Sequence, residues 1–185
     1  MPIYSFASIQ PKIDPTAFIH PDAVIIGDVT IGPYCSIWPG VVIRGDVNKI
    51  IIGSKTNIQD GSILHVTRPT QNNPGGTPLI IGDNVLIGHK VALHACTIEN
   101  RAMVGIGAIV LDGAKVGEQA MLGAGSMLTP GKIMEASSLW LGSPARFIRL
   151  RRDDEITATA QTIASYCSLG ATYKEDLLVP KSIGI

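Results

Sequence analysis

The sequence is poor in aromatic residues and carries no net charge, and both features narrow the class of protein to which it can belong. Aromatic residues make up 5% of the 185 residues, while apolar residues of all kinds reach 45%. The core must therefore be built mostly from Ile, Val, Leu and Ala. Fifteen basic residues balance fifteen acidic ones, and no basic block appears. This pattern argues against nucleic acid or an anionic membrane as a partner.

Long hydrophobic runs and cysteine pairs are also missing. No uncharged apolar run reaches the 18 or so residues of a membrane span without glycine interrupting it, and the opening "MPIYSFASIQPKID" has no apolar segment typical of a secretion signal. Three scattered cysteines, Cys35, Cys96 and Cys167, form no CxxC motif. They are typical of reduced thiols, so we expect a cytoplasmic protein.

A six-residue repeat organises most of the chain. Branched apolar residues recur every six positions, with three extra residues before Ile52, a break over 66–79 and one hexad short by a residue before Ile98. The series consists of Ile13, Ile19, Ile25, Ile31, Ile37, Ile43, Ile52, Ile58, Leu64, Ile81, Ile87, Leu93, Ile98, Val104, Val110, Val116, Leu122 and Leu128. Glycine often follows the repeated residue, and we expect it to supply the positive φ of a turn.

Three hexads close one triangular coil, so eighteen predict about six coils of parallel strands stacked about 4.8 Å apart. The pattern resembles the left-handed parallel β-helix of hexapeptide-repeat proteins, and the left hand is implied by that resemblance. We assign residues 1–150 to this all-β domain and 151–185 to a C-terminal helix and tail. Asp153 is a plausible N-cap of the helix, and Gly170 is expected to weaken its later part.

The coil columns explain two histidines spaced five residues apart in "GHKVALHAC". Three hexads per coil place His65 and His94 one above the other, with Arg44 one coil below them in the same column. His89 falls near another edge, above Asp60 and beside Gln59. A neighbouring subunit on a threefold axis could bring His89 to the other two histidines. Three imidazoles with an open position are the ligand set of a catalytic zinc site, although Fe²⁺, Co²⁺ or Ni²⁺ would also suit imidazole.

Several motifs together resemble the γ-class carbonic anhydrase family over roughly residues 10–175. They are "IWPGVVIRGDVNKIIIGSKTNIQDGSILHV", "IGHKVALHACTI", "VGIGAIVLDGA" and "LGSPAR". The resemblance implies a zinc-dependent lyase that hydrates CO₂ to bicarbonate with a metal-activated hydroxide. It also implies a homotrimer with a metal site at each subunit interface.

The same resemblance assigns roles to individual residues. It implies His65, His89 and His94 as metal ligands, and Gln59 as the residue that hydrogen-bonds the metal-bound water or bicarbonate. It further implies an interfacial charged network of Arg44, Asp46 and Asp60, with Asn57 lining the site. A plain surface salt bridge for Arg44 and Asp46, and turn chemistry for Asn57, are the alternative interpretations.

One departure from the family pattern bears on turnover. The best-known active members carry a glutamate after the Arg-x-Asp motif and an acidic proton shuttle in the next loop. This chain has Val47 instead of the glutamate, and its loop "TRPTQNNPGGTP" contains no carboxylate. Weak CO₂ hydration is therefore expected. The alternatives are a metal-dependent acyl-CoA thioesterase or hexapeptide acyltransferase on the same β-helix, and a non-catalytic trimeric metal-binding subunit.

Overall fold

The chain winds into a parallel β-helix of stacked three-sided coils, and one α-helix packs along its side. The computed structural model describes residues 2–178, with Leu178 described by its backbone alone. Face one contains β1 (Ile3–Tyr4), β4 (Val24–Ile31), β6 (Val42–Ile52), β8 (Ile63–His65), β11 (Ala92–His94), β14 (Ile109–Val110) and β17 (Met127–Leu128). The predicted β-helix is confirmed.

The other two faces are built in the same way. Face two contains β3 (Phe18–Ile19), β5 (Ser36–Ile37), β7 (Asn57–Ile58), β10 (Leu86–Ile87), β13 (Met103–Val104), β16 (Met121–Leu122) and β19 (Ser138–Gly142), with β20 (Ala145–Leu150) antiparallel at its edge. Face three contains β2 (Lys12–Ile13), the ends of β4 and β6, β9 (Leu79–Ile81), β12 (Thr97–Ile98), β15 (Lys115–Val116) and β18 (Ile133–Met134). Because β4 and β6 each run across a corner, faces one and three form one 12-stranded sheet.

The core is the stack of repeated aliphatic residues. All of the hexad residues are buried except Ile13, which is half-buried at the open first coil. The series runs further than the branched residues predict, because Met134 and Trp140 occupy the next two inward positions and are buried as well. Ladders of Ile, Leu and Val side chains one strand spacing apart leave little space between coils, as close packing requires.

The glycines after the hexad residues serve a different purpose from the one predicted. Gly53 and Gly88 do not have positive φ; a Cβ on Gly53 would lie 2.7 Å from the backbone of Gly82, and one on Gly88 would lie 2.8 Å from the backbone of Ile106. These glycines allow stacked coils to approach closely. The left-handed conformation occurs two residues later, for example at Lys55 with φ 54°.

Helix α1 (Asp153–Leu178) lies along face two. Asp153 is its first helical residue rather than the cap, and the backbone N–H of Arg152 is bound instead by Glu155 Oε2 at 2.9 Å. The helix also continues through Gly170, which is buried against Ser36 and Phe18. The predicted tail beyond residue 178 lies outside the described residues. Within 2–178, no helix is long and apolar enough to cross a membrane.

Candidate metal centre

The parallel pairing of β8 and β11 places two predicted ligands side by side. His94 is the register partner of His65, and the two ring centroids lie 5.2 Å apart. Nδ1 of His65 faces Nε2 of His94 at 3.2 Å. Two nitrogens on one tetrahedral zinc ion are separated by about 3.3 Å, given Zn–N bonds of about 2.0–2.1 Å. The spacing therefore fits a pair of ligands to one ion.

Asp46 binds the nitrogen of the His65 ring that points away from His94. Three extra residues make β6 bulge relative to β4, because Gly27 pairs with Gly45 but Val29 pairs with Ile50. Asp46 lies in this bulge and accepts hydrogen bonds from His65 Nε2 at 2.9 Å and Arg44 Nη1 at 2.5 Å. Burial opposes ionisation, but these two hydrogen bonds outweigh it and lower the pKa of Asp46.

Asp112 holds the far side of the His94 ring, and the sequence analysis missed it. Its Oδ1 lies 2.6 Å from His94 Nδ1, and its Oδ2 accepts a hydrogen bond from the Thr67 hydroxyl. Burial opposes ionisation, but the bonds from Thr67 and His94 outweigh it and lower the pKa of Asp112. The position of Asp112 in the repeat could have revealed it. Asp112 directly follows Leu111, which lies above His94 in the same column. We call Arg44, Asp46, His65, His94 and Asp112 the stacked half-site.

The remaining candidates lie at another corner of the same coils. His89 Nδ1 is 2.9 Å from Asp60 Oδ2, and the side chain of His89 is 42% exposed. Gln59 is buried beside them. We call Gln59, Asp60 and His89 the edge half-site. In residues 2–178 of a single chain, no group of three or more His, Cys, Asp or Glu side chains could hold a metal ion.

Asn57 lies next to the edge half-site but beneath α1. Its side chain is 1% exposed, and its Nδ2 donates to Ser36 Oγ at 2.8 Å. Its Oδ1 and the Nε1 of nearby Trp38 are both buried without a hydrogen-bond partner among the described residues. Asn57 therefore does not reach the cleft that holds His65 and His94.

An open cleft of about 400 Å³ adjoins the stacked half-site. Its walls come from the β6 bulge, the two stacked histidines and the loop after β8. Val47 and Arg68 line the cleft, so one of its walls is apolar and another is cationic. The two nearby carboxylates, Asp46 and Asp112, are each hydrogen-bonded to a histidine. Two further clefts, of about 400 and 350 Å³, flank α1 and contain no histidine.

Comparison with known proteins defines the class to which this fold and site belong. Residues 10–45 match the family described as bacterial transferase hexapeptide (six repeats). Among solved structures, a Bacillus cereus protein described provisionally as an acetyltransferase superposes with a TM-score of 0.88 at 40% identity, covering 94% of this chain and 96% of that one. A hexapeptide transferase family protein from Anaplasma phagocytophilum gives a TM-score of 0.84 at 45% identity, covering 92% and 97%.

Sequence relatives define the branch more closely. The chain is 42% identical over 175 residues to gamma carbonic anhydrase 1, mitochondrial, of Arabidopsis thaliana, covering 94% of this chain and 62% of that protein. It is 50% identical over 150 residues to protein YrdA of Escherichia coli K12, covering 81% and 82%. The chain thus spans about three fifths of the plant protein. It belongs to the hexapeptide-repeat family of γ-class carbonic anhydrases and their relatives, as the sequence motifs predict.

Proposed function

We propose that this protein is a homotrimeric, γ-carbonic-anhydrase-like metalloenzyme that hydrates CO₂ to bicarbonate. The observation that carries the proposal is the way the stacked histidines are held. A carboxylate can only accept hydrogen bonds, so in the neutral form of imidazole that binds metals, Asp46 and Asp112 would each take the one N–H of the ring beside them. Two lone pairs then face each other at 3.2 Å. This arrangement favours a shared cation between His65 and His94.

The third ligand is expected to come from another subunit. His89 has the same arrangement, with Nδ1 on Asp60 and Nε2 left to bind an ion. Carboxylate partners of this kind fix the orientation of metal-binding imidazoles in many proteins. One chain carries the stacked half-site and the edge half-site at different corners, so a ring of three chains joins each stacked half-site to the edge half-site of a neighbour.

An uncovered apolar surface supports this assembly. On face one, the outward side chain just before each inward hexad residue is apolar from the first coil to the sixth, and α1 covers face two instead. The column consists of Val24, Val42, Ile63, Ala92, Ile109 and Met127. Ile63 is 55% exposed and lies two residues from His65. Contiguous apolar patches of this kind mark interaction surfaces.

Each residue then has a role that its position supports. A bound divalent cation, with zinc the first choice and iron, cobalt or nickel compatible with the same imidazoles, supplies a nucleophilic water at neutral pH. Arg44 fixes Asp46, which orients His65. Gln59 offers an amide to hydrogen-bond bicarbonate, and Asp60 orients His89.

Acyl transfer is the second candidate, because the Bacillus cereus and Anaplasma phagocytophilum structures carry transferase descriptions at 40% and 45% identity. Arg68 in the cleft would suit the phosphates of an acyl-CoA. The two functions separate by assay: CO₂ hydration in one case, and acetyl-CoA transfer or hydrolysis in the other. A trimer that binds metal and does neither would be the non-catalytic subunit.

The central experiment measures metal content, mass in solution and CO₂ hydration together. Wild-type protein should be a trimer that holds about one ion per chain, and His89→Ala should lose the ion although His89 is remote from His65 and His94 within one chain. His20→Ala is the matched control, because His20 also contacts an aspartate, Asp22, but at the first coil. Metal retained in His89→Ala, or a metal-loaded monomer, would contradict the proposal.

A further inference from the structure

A ring of hydrogen bonds surrounds the stacked histidines and passes through residues to which no role has been given. Asp112 lies between the His94 ring and the Thr67 hydroxyl. The backbone of Thr67 pairs with Thr77 across the loop, at 3.0 Å in both directions. Asn48 Nδ2 then donates to the carbonyl of Thr67 at 3.2 Å. The β6 bulge that carries Asp46 is thereby tied to the far side of His94.

We propose that Asp112 is a positioning residue of the metal centre, held in place by Thr67, and this rests on the proposed metal-dependent function. By binding Nδ1 of His94, Asp112 fixes the tautomer in which Nε2 carries the lone pair. The same bond turns Nε2 toward Nδ1 of His65. Without it the ring can flip or rotate, because no other bond to the ring of His94 is made besides the contact with His65 within residues 2–178.

The geometry assigns Asp112 a local role rather than a share of the core. Its side chain is 42% exposed, and that of His94 is 38% exposed. Replacing Asp112 removes no buried apolar contact. We therefore expect little change in the folding of the metal-free protein and a large change in metal affinity, since loss of such a partner typically weakens binding by about 10- to 100-fold.

The first measurement is the dissociation constant for Zn²⁺ by chelator competition. Asp112→Ala should weaken binding by about 10- to 100-fold, and Asp112→Asn by less, because the amide oxygen still accepts from Nδ1. Thr67→Val should weaken binding by a smaller factor, and Thr67→Ser, which keeps the hydroxyl, should restore it. Asp22→Ala removes the carboxylate beside His20 and should leave the affinity unchanged.

Two further readouts separate positioning from general destabilisation. With Co²⁺ bound, the visible spectrum of Asp112→Ala should differ from wild type, since the ligand field reports on the orientation of His94. In the metal-free protein at about pH 8.5, where imidazole is neutral, ring ¹⁵N shifts should show His94 with its proton on Nδ1, and this preference should be lost in Asp112→Ala.

The outcomes are distinguishable. If wild-type protein binds no metal, the proposed function fails, while the ¹⁵N shifts still test whether Asp112 fixes the tautomer. If wild-type protein binds metal and Asp112→Ala binds it as tightly with the same Co²⁺ spectrum, the inference about Asp112 is wrong and the proposed function stands. Failure of Thr67→Ser to recover the affinity lost in Thr67→Val would remove Thr67 from the network.

Discussion

Faces one and two of the β-helix have the same construction and different surroundings. On face two, α1 covers the outward side chains, and Ile163 of the helix is buried there at 4% exposure. On face one, the apolar column from Val24 to Met127 has no cover in the described chain, and Ile63 remains 55% exposed. One sequence repeat therefore produces two largely apolar surfaces, and within residues 2–178 a helix covers only one of them.

The difference coincides with the distribution of the candidate site. The stacked half-site lies at the edge of face one, whereas the edge half-site lies at a corner of face two. The proposed metal site and the uncovered apolar surface thus lie on the same side of the molecule. In the proposed trimer, a neighbouring copy of the chain completes the site and covers the surface, so the proposal links metal binding to assembly.

The largest expected effect comes from placing a charge on face one. Ile63→Glu should convert the trimer to monomers at micromolar concentration, because an unpaired carboxylate buried in an apolar interface costs several kcal/mol. A cost of about 3 kcal/mol at each interface weakens association by more than 100-fold. Light scattering over a dilution series measures this, and metal content should fall with the trimer.

Ile133→Glu is the matched control for that substitution. Ile133 is 58% exposed, close to the value for Ile63, but it lies on face three. The variant should remain trimeric and metal-loaded. If both variants dissociate, or if neither does, face one is not the interface.

A smaller effect is expected where α1 is anchored to face two. Arg151 is 7% exposed and donates to the carbonyls of Gln119 and Glu155 at 2.8 and 2.7 Å, and to Thr159 Oγ1 at 2.6 Å. Arg151→Met keeps the apolar stem but loses these bonds, so the free energy of unfolding should fall by about 2–3 kcal/mol. Urea unfolding at one fixed protein concentration measures it.

Arg152→Met is the control for the anchor. Arg152 is adjacent in sequence, but its side chain is 61% exposed and forms surface ion pairs with Asp154 and Glu155. Exposed pairs of this kind contribute about 0–1 kcal/mol. Equal effects of the two substitutions would mean that Arg151 is not the anchor.

The smallest expected effect is a pH dependence at the start of α1. Glu155 accepts two hydrogen bonds from Arg149 and one from the backbone of Arg152, and these lower its pKa from 4.5 to about 2. A lowered pKa stabilises the folded state above pH 4.5, and the stabilisation is lost as pH falls toward 2.

Glu155→Gln should accordingly have a lower Tm than wild type at pH 7, and the difference should shrink between pH 4.5 and 2. Thermal unfolding at pH 7, 4 and 2.5 measures this. Glu175→Gln, an exposed glutamate on the same helix, is the control. A difference in Tm that is constant across this range would contradict the role assigned to Glu155.

The sequence predicts the coils and the stacked pair well, because a period of six fixes which residues share a column. Counting residues along the repeat was enough to place His65 and His94 side by side. Asp112 was missed because its column position is shifted by one residue from that of His94, and a side chain of its length closes that gap. Counting along the repeat cannot show how far a side chain reaches.

The glycines and the end of the repeat were harder to interpret for a different reason. Gly53 and Gly170 are required by the proximity of another segment, which a one-dimensional pattern does not contain. Met134 and Trp140 fill inward positions at the last coil, where a flexible or large side chain can close the stack. A search for branched aliphatic residues therefore stops two inward positions early.

Helix α1 runs from the last coil back to the first, and this has a mechanical consequence. At one end Arg151 is bonded to Gln119, and at the other Lys174 is bonded to the carbonyls of Pro15 and Ala17. A stack in which each coil contacts only its neighbours can be unravelled one coil at a time from a free end. Here a pulling force on the C-terminus must first separate α1 from its contacts near Pro15. The force therefore reaches the coils only after the helix has detached.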